Sequence, residues 1–469
     1  MTDGTITYGS APGRWVLGAT VLGSGIAFLD GTVVNVALPA IDAELDAGIS
    51  GLQWTVDAYL LTLSAFLLLG GSLGDIYGRR RMFTYGLGGF AGASLLCGIA
   101  PSTELLVAAR ALQGVAAALL VPGSLAIIST SFTPGDTGKA IGAWSGLSGV
   151  TTALGPFVGG YLVDAVSWRW IFVINLPLAA AAIWMAVRHV PETMTGGARP
   201  DVGGAATAAV ALGGITYGLI EGPGRGWTEA TVVGATAAGL LALLAFARTE
   251  LRHRDPMLPF SIFRSRQFSG ANAATLLVYF ALSGAVFFLV IELQRELGYS
   301  ALEAGAALIP TTILLLLLSP SAGALASRIG PRLPMTLGPL IAAVGLASMT
   351  VIGPGATYAT RILPPVIVFG LGLSLTVAPL TTAVLAAVPS EHAGIGSGVN
   401  NAVARVAGLL AVALLPLVAG IGGAQEIGAT DFTSGFRRAL WASAGLCALG
   451  GIVSWLTIRG TGEGRVGAA

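Results

Sequence analysis

The sequence predicts an all-α integral membrane protein of fourteen transmembrane helices, two six-helix bundles with an inserted helix pair between them. Three observations carry this reading. The 469 residues are 54% hydrophobic and only 10% charged, where soluble domains carry about 25% charged residues. Fourteen apolar stretches approach or exceed the roughly 18 residues needed to cross about 30 Å of hydrocarbon. A loop pattern in the first half returns 252 residues later in the second.

The first six stretches are 15–38, 54–74, 82–100, 104–128, 141–164 and 170–188. Residues 1–13 lack a basic run and thirteen more spans follow, so 15–38 reads as a retained helix rather than a cleaved signal peptide. The pair 203–221 and 230–247 comes next, then a long basic loop, 248–268. The last six are 269–292, 302–325, 333–353, 362–388, 398–420 and 437–458. The expected organisation is an N-terminal bundle over 1–202, an inserted pair over 203–247, a cytoplasmic linker over 248–268 and a C-terminal bundle over 269–469.

The recurring loop reads Gly71-x-Leu73-x-Asp75-x-x-Gly78-x-Arg80 and then Gly323-x-Leu325-x-Ser327-x-x-Gly330-x-Arg332. Pro122 and Pro379 fall at a comparable offset. Such internal repeats build many transporters around a site near the midplane. With both termini placed in the cytoplasm, sixteen of the 24 basic residues lie inside and six outside. The positive-inside rule therefore puts both ends in the cytoplasm of a cell-membrane protein.

The net charge of +1 gives no reason to expect nucleic acid. Cys97 and Cys447 fall within apolar stretches and read as buried small hydrophobes, with no disulfide or metal site. His189, His253 and His392 lie in polar loops, and no cofactor is expected. There is no phosphate-binding loop, no HExxH and no nucleophile elbow, which argues against an ATP-driven pump or an enzyme.

Ionisable groups inside a membrane cost several kcal/mol unless paired or hydrated, so each is a candidate for function. Asp30 lies about nine residues, or roughly 13 Å, from the outer end of its span, and Arg110 about six residues, or roughly 9 Å. Asp57 falls in the first turn of the second span. A carboxylate and a guanidinium at similar depth can pair, and protonating the acid would change that pairing. A fixed structural ion pair is the alternative for Asp30, and a favourable dipole position the alternative for Asp57. Glu221 and Glu292 read as solvated helix ends, and Arg405 as a snorkelling side chain. Trp144, Phe280, Phe287 and Phe288 suit either an apolar drug cavity or packing.

A set of short motifs runs the length of the chain. It comprises Leu29-Asp30-Gly31-Thr32-Val33-Val34-Asn35-Val36-Ala37-Leu38-Pro39, Gln53-Trp54 with Asp57-Ala58-Tyr59-Leu60, and Arg110-Ala111-Leu112-Gln113-Gly114. Trp168-Arg169-Trp170-Ile171-Phe172, Asn175-Leu176-Pro177, Glu221-Gly222-Pro223 and Pro256-Met257-Leu258-Pro259 follow. Together they resemble the fourteen-helix drug:proton antiporters of the major facilitator superfamily, the EmrB/QacA group. The resemblance implies a major facilitator fold, a small-molecule substrate and protons as partners within a lipid bilayer. It assigns proton coupling or substrate binding to Asp30, Arg110 and Asp57. Gly71, Asp75, Gly78, Arg79 and Arg80 become a conformational latch, with Ser327 breaking the second copy. Gly155, Pro156, Gly159 and Gly160 become the antiporter helix motif, although Thr151 stands where the family pattern has a glycine. The expected activity is export of drug-like or antibiotic molecules against protons. The competing readings are export of an endogenous metabolite, lipid or siderophore, with or without protons, and a non-transporting sensor. Nothing in the sequence identifies an accessory export protein.

Overall fold

The computed structural model describes residues 6–194, 200–252, 258, 260–388, 393–421 and 429–459. Outside them lie His253, Pro256, Met257 and Pro259 of the linker and motif, His392 between the stretches 362–388 and 398–420, and Arg199, Arg254 and Arg465 of the basic set.

Among the described residues the chain is helical throughout and has no strand. Fourteen long segments follow one another. The first six are α1 (Ala11–Leu45), α2 (Gly48–Tyr77), α3 (Arg79–Gly98), α4 (Thr103–Ser131), α5 (Pro134–Ala165) and α6 (Trp170–His189). Then come α7 (Val202–Arg225) and α8 (Ala230–Arg252). The last six are α9 (Arg266–Glu296), α10 (Ala301–Ile329), α11 (Arg332–Met349), α12 (Tyr358–Leu385), α13 (Ala393–Ala419) and α14 (Ala429–Thr457). Twelve of these are long and apolar enough to cross a membrane; α3 and α5 are not among them. The expected count was fourteen. Three arginines and a run of glycines dilute α3, and glycine, serine and threonine dilute α5.

The helices overrun the apolar stretches that predicted them. At about 1.5 Å per residue, the 35 residues of α1 extend about 52 Å, well beyond the hydrocarbon. The stretch 104–128 is interrupted rather than continuous, with Thr103–Ala117 and Leu120–Ser131 separated by a turn. Pro122 explains this: it has no N–H for the Ala118 carbonyl four residues earlier. Gly70 of α2 closes against that carbonyl, an approach that any side chain would block.

The chain forms two compact units, one of Met1–Ile215 with Gly234–Met257, the other of Thr216–Val233 with Leu258–Ala469. In the first, α1 packs on α5 and α6, α2 on α4, and α3 on α4 and α6. In the second, α9 packs on α13 and α14, α10 on α12, and α11 on α12 and α14. The same pattern thus appears twice, eight helices apart. The loop repeat holds at the backbone too, for Gly78 and Gly330 both take positive φ, at 104° and 87°. That region favours glycine, which makes the α2–α3 and α10–α11 turns possible. Their arginines act alike: Arg80 Nη1 donates to Val190 O just beyond α6 (3.2 Å), and Arg332 Nε to Trp455 O near the end of α14 (3.0 Å). Within the first unit, α7 and α8 touch backbone to backbone at Gly214 and Gly239, the close approach that small residues allow between helices in lipid.

Candidate functional site

Asp30 of α1 and Arg110 of α4 form an ion pair between Arg110 Nη1 and Asp30 Oδ2, with both side chains at most 1% exposed. Each charge is further satisfied. Gln113 Nε2 donates to Asp30 Oδ1 at 2.7 Å, and Asn175 Nδ2 of α6 donates to the same oxygen at 3.1 Å. Both amides also lie within hydrogen-bond reach of Ser94 Oγ of α3, at 2.9 and 3.3 Å. Arg110 Nε donates to Thr55 O of α2 at 3.0 Å, and Nη1 also reaches Gln113 Oε1 at 2.6 Å. The guanidinium lies over the Tyr59 ring, 4.4 Å from its centroid. Burying two charges is tolerated only when pairing and hydrogen bonds replace the lost water, and this network supplies both. Helix periodicity accounts for part of it: Arg110 and Gln113 are three residues apart on one face of α4.

Asp57 was placed by sequence in a first helical turn near the surface. The structure corrects this. Asp46 adopts a left-handed conformation and α2 begins at Gly48, so Asp57 sits more than two turns inside the helix and is fully buried. Neither carboxylate oxygen has a hydrogen-bond partner, and Asp57 is not joined to the Asp30 network by a hydrogen bond. The dipole alternative for this residue therefore falls away.

The α5 motif acts on α1 beside Asp30. Pro156 has no N–H for the Thr152 carbonyl, four residues earlier. That carbonyl instead faces the Thr32 hydroxyl of α1, 3.1 Å away and two residues past Asp30. Gly155 makes room, since a β-carbon there would overlap the same hydroxyl and approach Leu29 O to 3.2 Å. A β-carbon at Gly159 would overlap Val33 and crowd Val36. Gly160 is buried in the next position. Thr151, at the departure from the family pattern, fills space beside Gly25 of α1. Gly155→Val is expected to push α5 off α1. An overpacked site costs about 1–3 kcal/mol, so the thermal midpoint of the purified protein should fall while Gly142→Ala, which meets open space, leaves it unchanged.

The α2–α3 loop closes on α4 and on the segment after α6. Asp75 Oδ1 accepts from Arg79 Nε at 2.8 Å and Nη2 at 2.7 Å, and Arg79 Nη1 also reaches Ala126 O at 3.4 Å. Arg80 pairs with Glu192, a residue that sequence reading passed over: its backbone N donates to Glu192 Oε1 at 3.1 Å, with Nε 3.5 Å from Oε2. A β-carbon at Gly71 would meet only Pro122 Cβ, at 3.6 Å, an ordinary contact distance. Ser327 Oγ, in the second copy, donates back to Gly323 O of its own helix (3.1 Å). At the start of α5, Asp136 accepts from Tyr8 N and Lys139 Nζ, each at 2.9 Å, and the lysine holds its carboxyl below the usual range.

The remaining candidates separate. Glu221 accepts from Arg225 Nε at 2.7 Å, within its own helix. Glu292 is not a solvated helix end but fully buried, beneath α14. Arg405 is half-buried. Phe287 and Phe288 pack on each other, and Trp144 is buried with its Nε1 donating to Ser24 Oγ at 3.2 Å.

With this geometry in view, the chain matches the family model for the Major Facilitator Superfamily over residues 20–412. It belongs to that superfamily. The chain is therefore a multi-pass membrane transport protein and not an enzyme. It is 37% identical over 473 residues to the puromycin resistance protein pur8 of Streptomyces alboniger, covering 96% of this chain and 92% of that one. It is 34% identical over 403 residues to the tetracenomycin C resistance and export protein of Streptomyces glaucescens, covering 85% and 74%. Its fold is also that of a peptide transporter solved with sulfate, at TM-score 0.70, 14% identity, and coverage of 97% and 96%. The transporter shares architecture with that structure, and at this identity only architecture.

Proposed function

We propose that this transporter exports small drug-like or antibiotic molecules across the cytoplasmic membrane in exchange for protons. The observation that carries the reading is the buried Asp30–Arg110 pair, held by Gln113 and Asn175. A proton on Asp30 removes the charge that Arg110 faces, while the two amides still hold the neutral carboxyl in place. The arginine must then find another acceptor, and the first bundle changes its packing. Substrate that favours the unprotonated bundle and protons that favour the other give exchange, because a ligand shifts an equilibrium only by its differential affinity. Resistance and export in the names of the relatives support the direction of transport.

The rest of the proposal concerns arrangement. All fourteen long helices span the bilayer, as two bundles of six with α7 and α8 inserted and 248–268 as linker. Both termini face the cytoplasm, supported by the bias of the basic residues. Asp57, buried without a donor, is a further candidate for carrying a proton or meeting substrate. The Asp75–Arg79 pair and the Arg80–Glu192 pair latch one conformation of the first bundle.

The test is proton release from the purified transporter in weakly buffered detergent. Puromycin and tetracenomycin C are added in turn, with binding followed in parallel. Binding accompanied by acidification is the expected result. Binding with no proton released would return the alternative of uncoupled export.

A further inference from the structure

The second unit holds a buried acid that the Asp30 network does not use. Glu292 begins the last turn of α9, which winds as a π-helix over Glu292–Glu296, with Leu297 N donating to Glu292 O at 3.2 Å. Such turns are rare and recur at functional positions. The side chain is fully covered, with Thr433 of α14 against it; nearby along the same two helices Phe288 of α9 packs on Phe432 of α14, ring centroids 6.2 Å apart. Thr433 Oγ1 donates to Glu292 Oε1 at 2.9 Å, while Oε2 is buried without a hydrogen-bond partner. The charged groups that face it are Glu296 of its own helix and Arg437 of α14, one turn beyond Thr433. Arg437 is exposed and Glu296 half-buried.

We propose that Glu292 is a second proton-binding site, in the second unit, exchanging protons with the side of the membrane on which α9 ends. One hydroxyl does not replace the hydration of a carboxylate, and an unpaired buried charge costs far more than a neutral polar group. The described arrangement therefore suits the acid with a proton on Oε2. Loss of that proton to water leaves a carboxylate that faces Arg437 of α14. Glu296, half-buried one turn further along α9, is the carrier for the proton. No bond other than O–H forms or breaks. The assignment deepens the proposed antiport by adding a second proton group; only its role in exchange rests on that reading.

The test reads protonation directly, without transport. Infrared difference spectra of the transporter in liposomes, taken as the outside pH is stepped, should contain the carbonyl band of a protonated carboxyl. Glu292→Gln should remove the band, Glu292→Asp should retain and shift it, and Thr433→Val should shift it by deleting the hydroxyl that Oε1 accepts from. Asp30→Asn and Asp57→Asn should leave it in place. A set of carboxyl bands that Glu292→Gln leaves unchanged, or loss of this same band with Asp30→Asn or Asp57→Asn, overturns the assignment. Because Asp30→Asn addresses exchange and this band does not, failure of one is distinguishable from failure of the other.

Discussion

Asp30→Asn abolishes efflux driven by a pH gradient in liposomes, while the protein still inserts into the membrane. Asparagine keeps the size of the side chain and can still accept from Gln113 and Asn175, but it carries no charge. Its NH2 group then faces Arg110 Nη1, donor against donor, where Asp30 Oδ2 now accepts. Breaking one partner of a buried pair costs about 3–5 kcal/mol, mostly because the other charge is left uncompensated. At about 1.4 kcal/mol per tenfold, a loss of at least roughly a hundredfold in pH-driven flux is expected. Insertion is insulated from this, since it follows from hydropathy spread over the whole chain. Undiminished proton-driven transport in this variant would remove Asp30 from the mechanism.

Arg110→Lys should fall nearly as far, although it conserves charge. The guanidinium serves Asp30, Gln113 and Thr55 O at once through two nitrogens and lies over the Tyr59 ring. An ammonium is a single point with no planar fork, so it cannot hold the Thr55 carbonyl and the Asp30 carboxylate together. The expected phenotype is a transporter that leaks substrate downhill but no longer concentrates it against a pH gradient, at least roughly tenfold below wild type, a loss of about 1.4 kcal/mol. Counterflow of radiolabelled substrate without a gradient separates the two activities. Equal loss of counterflow would instead make Arg110 a purely structural residue.

Much of the architecture was legible because lipid imposes a long, continuous apolar signature on each helix, and because the loop at Gly71–Arg80 recurs as a matched string. That Asp30 and Arg110 could pair was legible from their depth, although the contact itself was not. Other parts were not, for identifiable reasons. Gln113 and Asn175 stood within quoted motifs, yet an amide in an apolar stretch does not announce its partner; only the spacing of Gln113 three residues after Arg110 was a usable signal. Ser94 carried none. The depth of Asp57 was misread because α2 starts at Gly48, in a polar stretch that hydropathy assigned to the loop. Glu292 is buried against Thr433, 141 residues away in sequence, and no local pattern encodes such a contact. Glu192 and its grip on Arg80 lay in an unpatterned loop for the same reason.

The knot at Asp30 has a mechanical consequence. Side chains or carbonyls from α1, α2, α3, α4 and α6 converge on it, and α5 leans on Thr32 just beside it. No one of these helices can turn about its own axis without tearing at least one strand of the knot. While the charge is present the bundle is clutched as a single rigid piece. Neutralising one oxygen is the smallest event able to slacken five helices together, so a switch of atomic size acquires the reach of the whole bundle.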